Sequence, residues 1–142
     1  MTVYVDTSAL LRVVLAEPGA LGELPKADRL ISSELLAVEC RRTIDRLQRL
    51  GDLPPDDAVR RLEIVTDWIE AIDLVLLRAP ILSRAGDPLP SPLGTLDALH
   101  LATALVWRDR MGDAPTVATH DAALALAARA HGLGVIGVQA AP

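Results

Sequence analysis

The sequence predicts an α/β fold with a parallel sheet covered by helices on both faces, and three observations carry that expectation. Short apolar runs alternate with longer segments of helical spacing along the whole chain. The strand runs are continuously apolar rather than alternating, as strands buried on both faces require. The chain has 142 residues, 51% of them hydrophobic. A chain of that size buries roughly 68–70% of its unfolded surface and needs no cross-links. The expected organisation is a single domain spanning residues 1–142.

The elements follow in order. Val3-Tyr4-Val5 reads as a buried strand ending at Asp6. Thr7-Ser8 offers an N-cap, and a helix continues to Leu15, ended by Pro18-Gly19. A short piece at Leu21–Leu24 stops at Pro25, and Arg29-Leu30-Ile31 reads as a second strand. Ser32-Ser33 is the expected cap of a helix from Glu34 to Leu50, whose apolar residues Leu35, Leu36, Val38, Ile44, Leu47 and Leu50 recur at helical spacing. Gly51 ends it, and Pro54-Pro55 opens another helix. Asp56 and Asp57 in its first turn suit the positive end of the dipole and can pair with Arg60 and Arg61. Leu74–Leu77 reads as a third strand, with a short helix near Ile81–Arg84. The proline-rich stretch Gly86–Pro92 is a loop too short to link domains. Thr95 is the expected cap of a helix over Leu96–Arg110, Thr116–Ala118 a fourth strand, Ala122–Ala130 a helix ended by Gly132, and Val135–Val138 a fifth strand.

Composition excludes several functions. Aromatics are 2% and Phe is absent, so base-stacking platforms are scarce. Trp68 and Trp107 read as packing anchors. One cysteine, Cys40, rules out an internal disulfide and a cysteine metal site, and it is expected as an inert buried thiol. The N-terminus lacks the basic and apolar regions of a signal peptide, and no apolar run approaches the ~20 residues that span a bilayer. A soluble protein of the cytoplasm, with no membrane association, is expected. The net charge of −5 does not favour general nucleic-acid binding. Nearly every positive charge is arginine, however, which suits phosphate contacts; Arg12, Arg41, Arg42 and Arg84 read equally as lining an RNA path or as surface pairs. No serine-hydrolase elbow and no phosphate-cradling glycine loop occurs.

Four acids stand apart from the rest. Asp6 follows the first strand and Asp121 the fourth, where an open parallel sheet places its ligands. Asp97 lies in the first turn of a helix, and Glu39 interrupts a Leu- and Val-rich helix. Each has an ordinary reading. Asp6 and Asp121 can cap helices, Asp97 can complement a dipole, and Glu39 can pair with Arg41 or Arg42. Asp45 with Arg49 has the same plain character. His100, three residues after Asp97, shares its helical face, but no second histidine accompanies it as a metal ligand. His120 adjoins Asp121, and His131 sits at a helix end, where a cation suits the dipole.

The wording around the four acids narrows the choice. Val3-Tyr4-Val5-Asp6-Thr7-Ser8, Ser33-Glu34-Leu35-Leu36-Ala37-Val38-Glu39, Thr95-Leu96-Asp97-Ala98-Leu99-His100-Leu101-Ala102-Thr103-Ala104 and Thr119-His120-Asp121 occur in that order. The pattern resembles the PIN-domain nucleases, specifically the VapC-type toxins of bacterial toxin–antitoxin pairs. The resemblance implies a three-layer α/β/α sandwich with a central parallel sheet. It implies an endoribonuclease that binds Mg²⁺ or Mn²⁺ through Asp6, Glu39, Asp97 and Asp121, with hydroxyl support from Thr7, Ser8 and Thr119. It also implies a small antitoxin that blocks the site, laying its tail in a groove of helices and sending a basic side chain toward the acids. Assembly as a homodimer or a hetero-oligomer with that antitoxin is expected.

The chemistry is consistent with this. Converging carboxylates repel unless a cation neutralises them. Mg²⁺ prefers oxygen ligands and keeps several waters. Asp6 and Asp97 are expected to bind the ion, directly or through water, while Glu39 and Asp121 complete the cluster, and either can orient the attacking water. Other functions share some of these features. A PIN nuclease of RNA processing would use the same residues without toxicity. A catalytically silent binding protein would be favoured by a missing acid, and none is missing. A haloacid-type phosphatase needs a second Asp two residues after the first, where this chain has Ser8.

Overall fold

The computed structural model describes residues 1–142. Its strands are β1 (Thr2–Val5), β2 (Arg29–Ser33), β3 (Asp73–Val75), β4 (Thr116–Ala118) and β5 (Val135–Ile136). Its helices are α1 (Thr7–Val14), α2 (Leu35–Arg49), α3 (Pro55–Ala71), α4 (Ala79–Ala85), α5 (Thr95–Met111) and α6 (Ala122–Ala130). The strands form one sheet in the order β3-β2-β1-β4-β5, every pair parallel.

The two-residue period of a strand sorts the apolar side chains into two cores. Val3 and Val5 enter one with Leu10 and Val14 of α1, Leu36 and Ile44 of α2 and Val65 of α3. Tyr4 and Ile31 enter the other with Leu101 and Leu105 of α5 and Leu124 and Ala128 of α6. Helices thus cover both faces, with α4 packed on α5. This is the three-layer sandwich expected from the sequence. Trp68 packs on the first core and Trp107 on the second. No helix is long and apolar enough to cross a membrane.

Strand order places the site. From β1 the chain steps outward through β2 and β3, then returns to the other side of β1 with β4 and β5. The order therefore reverses between β1 and β4. In open parallel sheets the carboxyl ends at such a reversal are where ligands bind, because the connections leave in opposite directions there. Helix α5 is buried from Ala98 to Leu105 except at Leu99, which only a helix enclosed by neighbours sustains. Its first turn, with Asp97, emerges at the same end.

Several local expectations are corrected. Ser32 and Ser33 belong to β2, fully buried; Ser32 donates to the Val5 carbonyl, and only Ser33 turns toward α2, accepting from the Leu35 N–H. Thr7 and Thr95 are the first residues of their helices, preceded by the cap positions Asp6 and Gly94. Pro25 lies inside a 3-10 turn at Leu24–Lys26, since proline's fixed φ starts a turn as readily as it stops one. Leu76, Leu77 and Val138 fall outside the strands. The pairs made by α3 also differ: Asp57 meets Arg60, whereas Arg61 donates to the Val14 carbonyl. Asp45 does pair with Arg49.

β5 stops at Gly137, whose φ of 100° L side chains rarely adopt. A Cβ there would press into the Thr119 carbonyl oxygen. Gly137→Ala is expected to cost about 2–3 kcal/mol, through backbone strain and a forced shift of the β4–α6 turn. Calorimetry should record a lower Tm, and an unchanged Tm would contradict the close approach.

Candidate active site

Asp6 is the innermost of the four acids, only 4% exposed. It follows β1, and its N–H donates to the Ala118 carbonyl of β4. Its carbonyl starts α1, accepting from Ala9 and Leu10, while its side chain makes no helix cap. Capping therefore does not explain this carboxylate. Its Oδ2 accepts from Ser8 Oγ at 2.6 Å and from Thr119 Oγ1 at 2.8 Å. Each hydroxyl is itself fixed by a backbone donor of the β4–α6 turn. His120 N–H donates to Ser8 Oγ at 2.9 Å, and Asp121 N–H donates to Thr119 Oγ1 at 3.0 Å. A buried carboxylate is tolerable only with such donors. Asp6 Oδ1 takes no hydrogen bond and lies 3.8 Å from His100 Nε2.

Glu39 points inward from α2 and does not pair with Arg41 or Arg42; Arg42 pairs with Asp45 instead. Glu39 Oε1 accepts from Thr7 Oγ1 at 3.0 Å and lies 2.6 Å from His100 Nε2. Thr7, Ser8 and Thr119, expected as supporting hydroxyls, all touch carboxylates of the cluster. Asp121 does cap its helix, with Oδ1 accepting from the Leu124 N–H at 2.8 Å. Its other oxygen makes no such bond, so the cap leaves it free.

Asp97 completes the group from α5. Its carboxyl is pushed up from 3.8 to about 6 by partial burial and then by the nearby charges of Asp121, Asp6 and Glu39, with His100 opposing. That response places all four acids within one electrostatic neighbourhood. Burial also disfavours charge on His100, but the hydrogen bond to Glu39 and the charges of Asp6, Glu39 and Asp97 raise it above its ordinary value. Cys40 is buried and its thiol is pushed up to about 12, chiefly by burial, so it remains protonated and inert.

Each acid thus presents at least one oxygen that no protein donor occupies, the hard donor set that suits a divalent ion. No three side chains close tightly enough to enclose an ion by themselves. The largest cavity, about 610 Å³, lies between α4, the proline-rich loop and the start of α5, and none of the four acids lines it.

The missed residue is His100. The sequence offered it only as a weak metal ligand, yet it binds Glu39 and Tyr4 together. The available signal was a lone histidine in the mostly apolar stretch from Ala98 to Trp107. His120 turns its ring to the Gly137 carbonyl, with Nδ1 at 3.1 Å. His131 caps α6 at its C-terminus, and its Nδ1 donates to the Ala127 carbonyl. Arg12 lies 3.9 Å from Glu17, a surface pair of little energetic weight.

The raised Asp97 carboxyl has a pH consequence. Between 3.8 and about 6 the folded chain holds a proton there that the unfolded chain has released, so stability falls as pH rises through that window. In EDTA, Asp97→Asn is expected to melt above the parent at neutral pH, and the difference should close at pH below about 4. A variant that melts lower at every pH would show that the carboxylate is stabilising instead.

Comparison with known proteins gives the family. The PIN domain family model matches residues 3–130. Ribonuclease VapC46 of Mycobacterium tuberculosis is 31% identical over 138 residues, covering 94% of this chain and 95% of that protein. With its parallel sheet, its order reversal beside Asp6 and its rim of acids, the chain belongs to the PIN-domain family, within the VapC group.

Proposed function

We propose that this chain, as a single domain, is a divalent-metal-dependent endoribonuclease toxin silenced by a small antitoxin, with Mg²⁺ as its ion and Mn²⁺ as an effective substitute. The observation that carries the reading is the convergence of Asp6, Glu39, Asp97 and Asp121 from four elements, each with a free oxygen. Kinship to a protein named a ribonuclease supports the substrate class.

Electrostatics makes the ion necessary. Four carboxylates repel a phosphodiester, and a divalent cation among them offsets that repulsion and offers the phosphate a local positive charge. Asp6, through Oδ1, and Asp97 would hold the ion, directly or through water. When bound, it neutralises charge on the phosphate oxygens and makes water acidic enough to attack at neutral pH. Glu39 or Asp121 would orient the attacking water through its free oxygen. Ser8, Thr7 and Thr119 hold the carboxylate rotamers, so little reorganisation is needed when charge develops. The antitoxin's tail would lie in a groove of helices, with a basic side chain entering the same acids and taking the cation's electrostatic place. A homodimer, or a hetero-oligomer with the antitoxin, is the assembly this reading expects.

The test is cleavage of a mixed RNA pool by protein free of antitoxin. Wild type should cut with Mg²⁺ and stop in EDTA, while Asp6→Asn should lose at least about 100-fold in kcat. Thr119→Val should lose about 10–100-fold, because Asp6 loses one of its two hydroxyl donors. Equal cutting by wild type and Asp6→Asn would assign the activity to a contaminant and refute the reading.

A further inference from the structure

Between β1, α2 and α5 runs a line of polar groups that packing alone does not require. His100 is 1% exposed. Its Nδ1 lies 2.7 Å from the Tyr4 hydroxyl and its Nε2 lies 2.6 Å from Glu39 Oε1. The Tyr4 and His100 rings meet edge to face, centroids 5.9 Å apart. An imidazole buried among aliphatic side chains is costly unless both nitrogens find partners, and here both do.

The bonding pattern assigns the hydrogens. A carboxylate accepts only, so Nε2 carries a hydrogen and donates to Glu39. In the neutral ring Nδ1 then accepts the Tyr4 O–H, and in the charged ring it donates to the Tyr4 oxygen. The bond to Glu39 survives in both cases. Tyr4 is fully buried in the sheet, and burial keeps its phenol protonated. One end of the line is therefore a residue of the sheet, and the end at the acid cluster is Glu39.

We propose that His100 is a positioning residue, braced by Tyr4, that fixes the orientation in which Glu39 presents its free oxygen to the acid cluster. The proposal rests on the metal-site reading above. It differs from a packing role in one respect: what matters is a donor at the position of Nε2, not the volume of the ring.

Substitutions separate the two roles. A glutamine amide reaches about as far as Nε2, whereas an asparagine amide reaches only as far as Nδ1. Mn²⁺ affinity, measured by titration calorimetry on the full chain free of antitoxin, should fall about 10–100-fold in His100→Asn, the range found when a ligand's supporting partner is removed. His100→Gln should restore most of that loss, and Tyr4→Phe should fall between. In a double-mutant cycle, His100→Asn should add nothing to Glu39→Gln, because both break one unit. Thermal melts run alongside confirm that each variant folds. Equal affinity in His100→Asn and His100→Gln, or losses that add fully to Glu39→Gln, would overturn the proposal. A wild-type protein that binds Mn²⁺ but cuts no RNA would refute the nuclease reading while leaving His100 to be judged on affinity. Wild type that binds no Mn²⁺ would overturn both.

Discussion

Mutual repulsion among four carboxylates is the constraint around which this end of the molecule is built. Left to themselves, Asp6, Glu39, Asp97 and Asp121 would turn outward to water or take up protons. They do not turn outward, because the two more deeply set ones are tied. Two hydroxyls hold Asp6, each pinned by a backbone N–H of the turn after β4. Thr7 and His100 hold Glu39. Asp97 has no such tether, and partial burial, with the neighbouring charges adding to it, raises its carboxyl to about 6.

The fold makes that arrangement affordable. The anchors sit where two central strands end side by side, the stiffest part of the sheet, with β1 paired on both edges. Both faces of β1 are closed by aliphatic packing, so Val3, Tyr4 and Val5 are fully buried. Their burial contributes on the order of 1.5–3 kcal/mol per large side chain. Local destabilisation at the strand ends can be absorbed by cores of that size.

Supporting groups here serve backbone and site at once. Asp121 caps α6 with one oxygen and keeps the other free. Thr119 receives the Asp121 N–H and gives its own hydrogen to Asp6. Gly137 allows β5 to end against the Thr119 carbonyl, so the turn bearing these donors is held from its far side. Because each group has two duties, the site and the sheet edge cannot be altered independently.

Much of this could be read along the chain. Apolar runs marked all five strands, the alternation of runs and helical segments marked the layers, and the local wording around Asp6, Glu39, Asp97 and Asp121 singled out the acids now found together. These features are local: they depend on periodicity and on neighbours within a few residues. Serines at 32 and 33 misled because a hydroxyl before a helix looks the same whether it caps the helix or closes a strand; the partner that decides is Val5, 27 residues away. His100 was obscure for the same reason, since Glu39 and Tyr4 lie 61 and 96 residues from it in sequence. Sequence by itself determined which residues form the elements and which acids stand at their ends. Tertiary structure alone decided which oxygen of each acid is tied and which is free, because hydrogen bonds between distant segments exist only once the sheet brings those segments together.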